Sequence, residues 1–135
     1  MKNCYCSSDR PFADCCQLFL EGKAKPSTAE ALMRSRYSAY VTVDVAYLLK
    51  TTHPSTRKLH NAETIENWAK SNSWQRLEII SIVDGGEKDK QGIVEFKVFY
   101  LDSESKPQIH HERSNFAKEL GKWFFVDGKI IEIII

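Results

Sequence analysis

A chain of 135 residues, 42% hydrophobic and 27% charged, has the size and composition of one ordinary globular domain, able to bury roughly two-thirds of its unfolded surface. That balance excludes a disordered chain, and a net charge of +1 gives no sign of a dedicated DNA-binding face, although a local basic patch for RNA or ribosome contacts would not show in the total. No window approaches the ~18 apolar residues of a membrane span and the N-terminus lacks the apolar core of a secretory leader, so a cytoplasmic protein without membrane contact is expected.

The chain opens on its most distinctive feature: Cys4, Cys6, Cys15 and Cys16 are the only four cysteines, and all lie in the first sixteen residues. In a reducing compartment such a cluster reads as metal ligands or redox groups rather than disulfides. If the compartment were oxidising, two pairings would remain, because joining Cys4 to Cys6 and Cys15 to Cys16 closes loops too short to be unstrained. Ser8-Asp9-Arg10-Pro11 predicts a short helix running to Leu20 and stopped by Gly22, with Cys15 and Cys16 on it facing the Cys4-Tyr5-Cys6 turn. The linker-like Lys23-Ala24-Lys25-Pro26 then separates a module over residues 1–22 from a domain over 27–135.

Ser27-Thr28-Ala29-Glu30 has the spacing of a capping box, and Leu32, Met33, Tyr37, Tyr40 and Val41 form one apolar face, with Arg34 and Ser38 turned elsewhere. Asp44 is placed to cap a second helix that ends before Pro54; Ser55 to His60 reads as a polar loop. Asn61 caps a third helix carrying Ile65, Trp68 and Ala69. From Trp74 the period becomes two. Strands are expected over Leu77 to Val83, Ile93 to Leu101 with Val94, Phe96, Val98 and Tyr100 on one face, Ile109 to Ala117, and Lys122 to Val126 after a turn at Gly121. Asp127-Gly128 predicts a further hairpin leading to a fifth strand, Ile130 to Ile135, apolar on both faces and so central or covered. Within the fourth strand, parity groups Trp123, Phe125 and Asp127 on one face. Helices followed by antiparallel strands give an α+β fold, with N-terminal helices packed on a curved antiparallel sheet.

These residues carry a resemblance. The cysteine spacing resembles the SEC-C motif, the small zinc-binding module at the C-terminus of the SecA secretion ATPase. Met33 to Tyr40, Thr52-His53-Pro54, Val94-Glu95-Phe96, His111 to Phe116 and Gly121 to Gly128 are similar, in order, to the bacterial YchJ family. The resemblance covers nearly the whole chain and implies a SEC-C zinc module before a nuclear-transport-factor-2-like domain, a cystatin-like cone. Two departures stand out: Tyr5 and Ser7 replace the Pro and Gly of the familiar Cys-Pro-Cys-Gly-Ser opening, and the 135 residues hold no second cysteine set such as longer members carry.

Four thiolates at Zn–S distances of about 2.3 Å close a tetrahedral site with no position for water, so the expected zinc is structural and its binding is coupled to folding of the module. Free or disulfide-linked cysteines are the alternative; an iron–sulfur cluster fits the adjacent Cys15 and Cys16 poorly. The candidate acid–base and charged residues are His53, Glu112 and Arg34, with Arg36, Tyr37, Tyr40, Trp68, Phe96, His110 and Phe116 as candidate lining of a cone pocket. Against catalysis, a His at a helix end usually caps, and Glu112 beside Arg113 reads as a sheet-surface ion pair. Arg34 and Arg36, two apart on a helix, cannot both line one pocket. The reading therefore favours a non-enzymatic zinc protein making protein or ribosome contacts through the module, with the cone as scaffold or small-ligand pocket. The alternative is a small-molecule enzyme of isomerase, dehydratase or hydrolase type. Homodimerisation through the open sheet face is expected by analogy with other cones.

Overall fold

In this computed structural model, which describes residues 3–131, a cysteine loop leads into a helical layer that packs on one curved antiparallel sheet. The expected strand beyond Ile131 lies outside the described residues. The segment expected as one N-terminal helix is broken: a 3₁₀ turn over Phe12–Asp14 and helix α1, Cys16–Leu20, are separated by Cys15 at φ −129°, ψ −113°. On a continuous helix, neighbouring side chains diverge by about 100°. The break lets two adjacent cysteines aim the same way.

Helix α2 spans Ala29–Thr42. Its cap is Thr28, whose hydroxyl accepts from the Ala31 N–H at 3.1 Å, so the cap lies one residue after Ser27 and the expected capping box does not form. Glu30, freed from that role, pairs with Arg34 at 2.8 Å. One face of α2 supplies Leu32, Met33 and Tyr37 to a core shared with Leu77, Val94, Phe96, Val98, Phe116 and Trp123. Burying each such side chain contributes about 1.5–3 kcal/mol. The helix is covered on other sides too: Ser35, Arg36, Ser38 and Ala39 are all buried, with Ser38 turned from the core face as expected but packed under the cysteine loop. Small polar residues fit there because each has a partner, Ser35 with the Tyr47 hydroxyl at 2.7 Å and Ser38 with Cys4 Sγ at 3.7 Å.

Val43 at φ 57° turns the chain sharply, and Asp44 then accepts from the Tyr47 N–H to start α3, Val45–Lys50. Part of the expected polar loop is a single helical turn, α4, Pro54–Arg57, with Pro54 in its first turn and His53 as its cap. Helix α5, Ala62–Ser71, is capped by Asn61 as its sequence suggests.

Strands β1 (Ser73–Asp84), β2 (Gln91–Leu101), β3 (Pro107–Glu119) and β4 (Lys122–Ile130) pair consecutively, each antiparallel to the next. Gly85, at φ 79°, brings its carbonyl to 2.9 Å from the Ala29 N–H; a Cβ there would lie 2.8 Å from that of Ala29. Leu120 and Gly121, both at positive φ, make the tight turn between β3 and β4. The hairpin expected at Asp127-Gly128 is absent: β4 runs straight through, with Asp127 opposite Asn115 and Gly128 opposite Ser114. A bulge at Val126 shifts the register, because Phe116 pairs with Phe125 while Asn115 pairs with Asp127. It also corrects the parity, sending Asp127 to the outer face beside Asn115, at 2.6 Å, and Gly128 to the inner one.

Candidate metal centre and cone cavity

The cysteine loop is shaped by backbone bonds from Cys4 N–H to Arg10 and from Ser7 N–H to Cys4. Ser7 sits at φ 69°, a left-handed conformation that favours glycine and explains why the familiar opening has Gly there. Its hydroxyl compensates by accepting from the Leu77 N–H at 3.2 Å, tying the loop to β1. Arg34 does not reach the cone. It donates from Nη1 to the Cys6 carbonyl at 2.7 Å and braces the loop against α2.

All four cysteines are buried, and their sulfurs lie within 4.8 Å of one another. Cys6 and Cys15 are 3.7 Å apart, Cys15 and Cys16 4.0 Å. Sulfurs about 2.3 Å from a central zinc would stand about 3.8 Å apart at tetrahedral corners, so the observed spacing fits such an ion. The charges fit as well. A hydrogen bond from Cys16 holds the Cys6 thiol down at about 4, whereas that same bond, then burial, pushes Cys16 up, and burial foremost raises Cys15. Burial and mutual repulsion disfavour several thiolates so close together, and a divalent ion would let all four ionise.

Between the helices and the inner sheet face lies a cavity of about 230 Å³. Tyr37, Tyr40, Trp68, Trp74, Phe96 and Phe125 form its aromatic walls, with Met33 and Val98 between them, and Arg36, His60, His110, Glu112 and Ser114 bring polar groups. Of the expected pocket residues, only Phe116 is elsewhere: it is 2% exposed, in the core, with its ring 5.9 Å from that of Phe125. His53 is also elsewhere. Its Nδ1 accepts from the Ser55 N–H at 3.1 Å and its Nε2 meets Glu119 at 2.8 Å, so it serves as a cap and surface partner. His53, Glu112 and Arg34 therefore share no cavity.

Glu112 is inside, and the surface ion pair expected with Arg113 does not form. Strand alternation places Arg113 on the outer face, where it pairs with Glu95, itself bound to His111. Within the cavity His110 Nε2 meets Glu112 Oε1 at 2.8 Å, and the Ser114 hydroxyl donates to Oε2. Burial alone would raise the Glu112 carboxyl. The bonds from His110 and Ser114, with the charges of His110 and Arg36, outweigh it and hold the group below its ordinary value.

Arg36 is 6% exposed. Its Nη1 donates to the Leu48 carbonyl at 2.9 Å and to the Thr51 and Thr52 hydroxyls at 2.7 and 3.4 Å, and the guanidinium carbon lies 4.6 Å from the Phe125 ring centre. Burial pulls its pKa down, yet an arginine stays charged in a protein. Sequence reading missed His60, Ser114, Trp74 and Phe125. The alternation His110, Glu112, Ser114 was a usable signal for the second polar cluster; His60 comes from a loop with no periodicity.

Residues 28–128 match the family model described as the YchJ middle domain, NTF2-like. The chain is 38% identical to a UPF0225 protein of Geobacter sulfurreducens, over 93% of this chain and 77% of that one, and 41% identical to one of Haemophilus influenzae, over 96% and 79%. The solution structure of a SEC-C motif containing protein from Rhodopseudomonas palustris matches with a TM-score of 0.89 at 34% identity, covering 97% of this chain and all of that one. A crystal structure of a SEC-C motif containing protein from Psychrobacter arcticus matches with a TM-score of 0.77, also at 34% identity, over 96% of this chain and 77% of that one. Cysteine loop, cone and sequence thus agree, and the chain belongs to the UPF0225 family, with a YchJ-type NTF2-like domain.

Proposed function

We propose that this is a zinc-stapled binding protein of the cytoplasm, in which Cys4, Cys6, Cys15 and Cys16 hold a closed structural Zn²⁺ and the cone takes up a small organic ligand. A metal with four protein thiolates has no coordination position for a substrate, which moves any ligand chemistry to the cone. The observation that carries the reading is the aromatic cavity of about 230 Å³ containing the buried cation Arg36. Aromatic walls with a few convergent polar groups are the usual make-up of a ligand site. Titrating the ¹⁵N-labelled protein with small aromatic fragments tests it. The Trp68 and Trp74 indole signals should move first; shifts confined to residues of the cysteine loop would refute it.

A second reading, protein or ribosome contact through the module, draws on one feature. Tyr5 is 47% exposed, with its ring 5.2 Å from that of Phe12 on the surface of the cysteine loop. Tyrosine is a frequent anchor of interfaces.

A further inference from the structure

We infer that the cone cavity is a receptor for a small monocarboxylate with a flat apolar body, anchored by Arg36; this rests on the reading of the cone as a ligand pocket. Arg36 is a charge 94% buried by its 6% exposure, and among the described residues no carboxylate lies within ion-pair distance of it. Glu112 in the same cavity feels the Arg36 charge but stays beyond ion-pair contact, and a buried cation with no carboxylate in contact is unfavourable unless something completes it. Its protein hydrogen bonds all leave from Nη1. The Nε and Nη2 edge has no protein acceptor among the described residues. That edge is a planar two-donor fork, the shape that takes both oxygens of one carboxylate.

The same cavity limits the ligand to a single negative charge. Glu112 lines it and is held ionised, with both of its oxygens committed to His110 and Ser114. It therefore cannot neutralise Arg36 by closing onto it without abandoning both bonds. A second anionic group on the ligand would meet its repulsion. The body of the ligand follows from the walls: Tyr37, Tyr40, Trp74 and Phe96 offer apolar faces, and Trp68, 42% exposed, borders both cavity and solvent. A volume of 230 Å³ equals about eight waters at roughly 30 Å³ each, enough for a phenyl ring with a short acid arm and too little for a nucleotide.

The test uses the full chain, calorimetry, and three probes: phenylacetate, its neutral isostere phenylacetamide, and the dianion phenylmalonate. The inference expects phenylacetate to bind at least ten-fold more tightly than either of the others, the ratio of a bidentate charge-assisted pair to neutral hydrogen bonds. Arg36→Lys, which keeps the charge and loses the fork, should abolish most of that preference, weakening the acid far more than the amide. Because wild-type protein alone compares acid with amide, the outcome does not depend on the variant folding. Equal binding of acid and amide would overturn the monocarboxylate while leaving the cone as a pocket. Failure of all three probes to bind would overturn both.

Discussion

Gly128→Ala is a substitution whose sign discriminates. Gly128 sits in β4, outside the positive-φ set, so alanine fits its backbone, and replacing a strand glycine ordinarily stabilises by about 0.5–1 kcal/mol. Here the added Cβ would lie 2.6 Å from Glu112 Cδ and 3.1 Å from its Cγ, and closer still to Oε2. The carboxylate must swing out, giving up its bonds to His110 and Ser114. Hydrogen bonds to a charged group are worth about 1.5–3 kcal/mol each, discounted because the displaced carboxylate regains water. Subtracting the glycine term leaves a net loss of about 1–3 kcal/mol, a fall in Tm of roughly 3–10 °C. Thermal unfolding reads the stability, and the His110 ring signals report its partner. A variant as stable as wild type with unchanged His110 signals would refute the packing of Glu112 on Gly128.

Two further outcomes follow from neighbouring geometry. Ser7→Gly removes left-handed strain worth about 1 kcal/mol but also the hydroxyl bonded to Leu77, so chemical denaturation should find it within about 0.5 kcal/mol of wild type, whereas Ser7→Ala, keeping the strain and losing the bond, should lose about 1 kcal/mol. Glu112 is held below its unfolded value of 4.5, so it favours the unfolded state's proton uptake: its stabilisation is present above about pH 4.5 and disappears as pH falls through the lower folded value. Denaturation curves between pH 6 and 3 should therefore show a shallower acid decline in Glu112→Gln than in wild type.

Much of the fold was legible because it depends on local rules. Asp44 and Asn61 cap the helices their positions suggested, and the alternation of Val94, Phe96 and Val98 gives the inner face of β2. The cysteine cluster was equally plain, since four sulfurs within sixteen residues have few ways to spread apart. What escaped depends on contacts across the chain. Asp127-Gly128 has hairpin chemistry, but the glycine answers to Glu112, sixteen residues earlier, and no local pattern encodes that. The same holds for Cys15, whose backbone breaks a helix so that two adjacent sulfurs converge, and for Ser38, buried because the cysteine loop folds over it. In the cone, Arg36, His110 and Glu112 were visible as residue types. Their separation from His53 and Arg34 required knowing which side of α2 and which end of the sheet each one occupies.

The claim that the cysteines are a closed structural site is most directly tested by metal analysis of the purified protein followed by cobalt substitution. One zinc per chain is expected and, after exchange, the visible spectrum of tetrahedral cobalt bound by four thiolates. Protein without metal, a spectrum requiring a water or nitrogen ligand, or cysteines recovered as disulfides would contradict it.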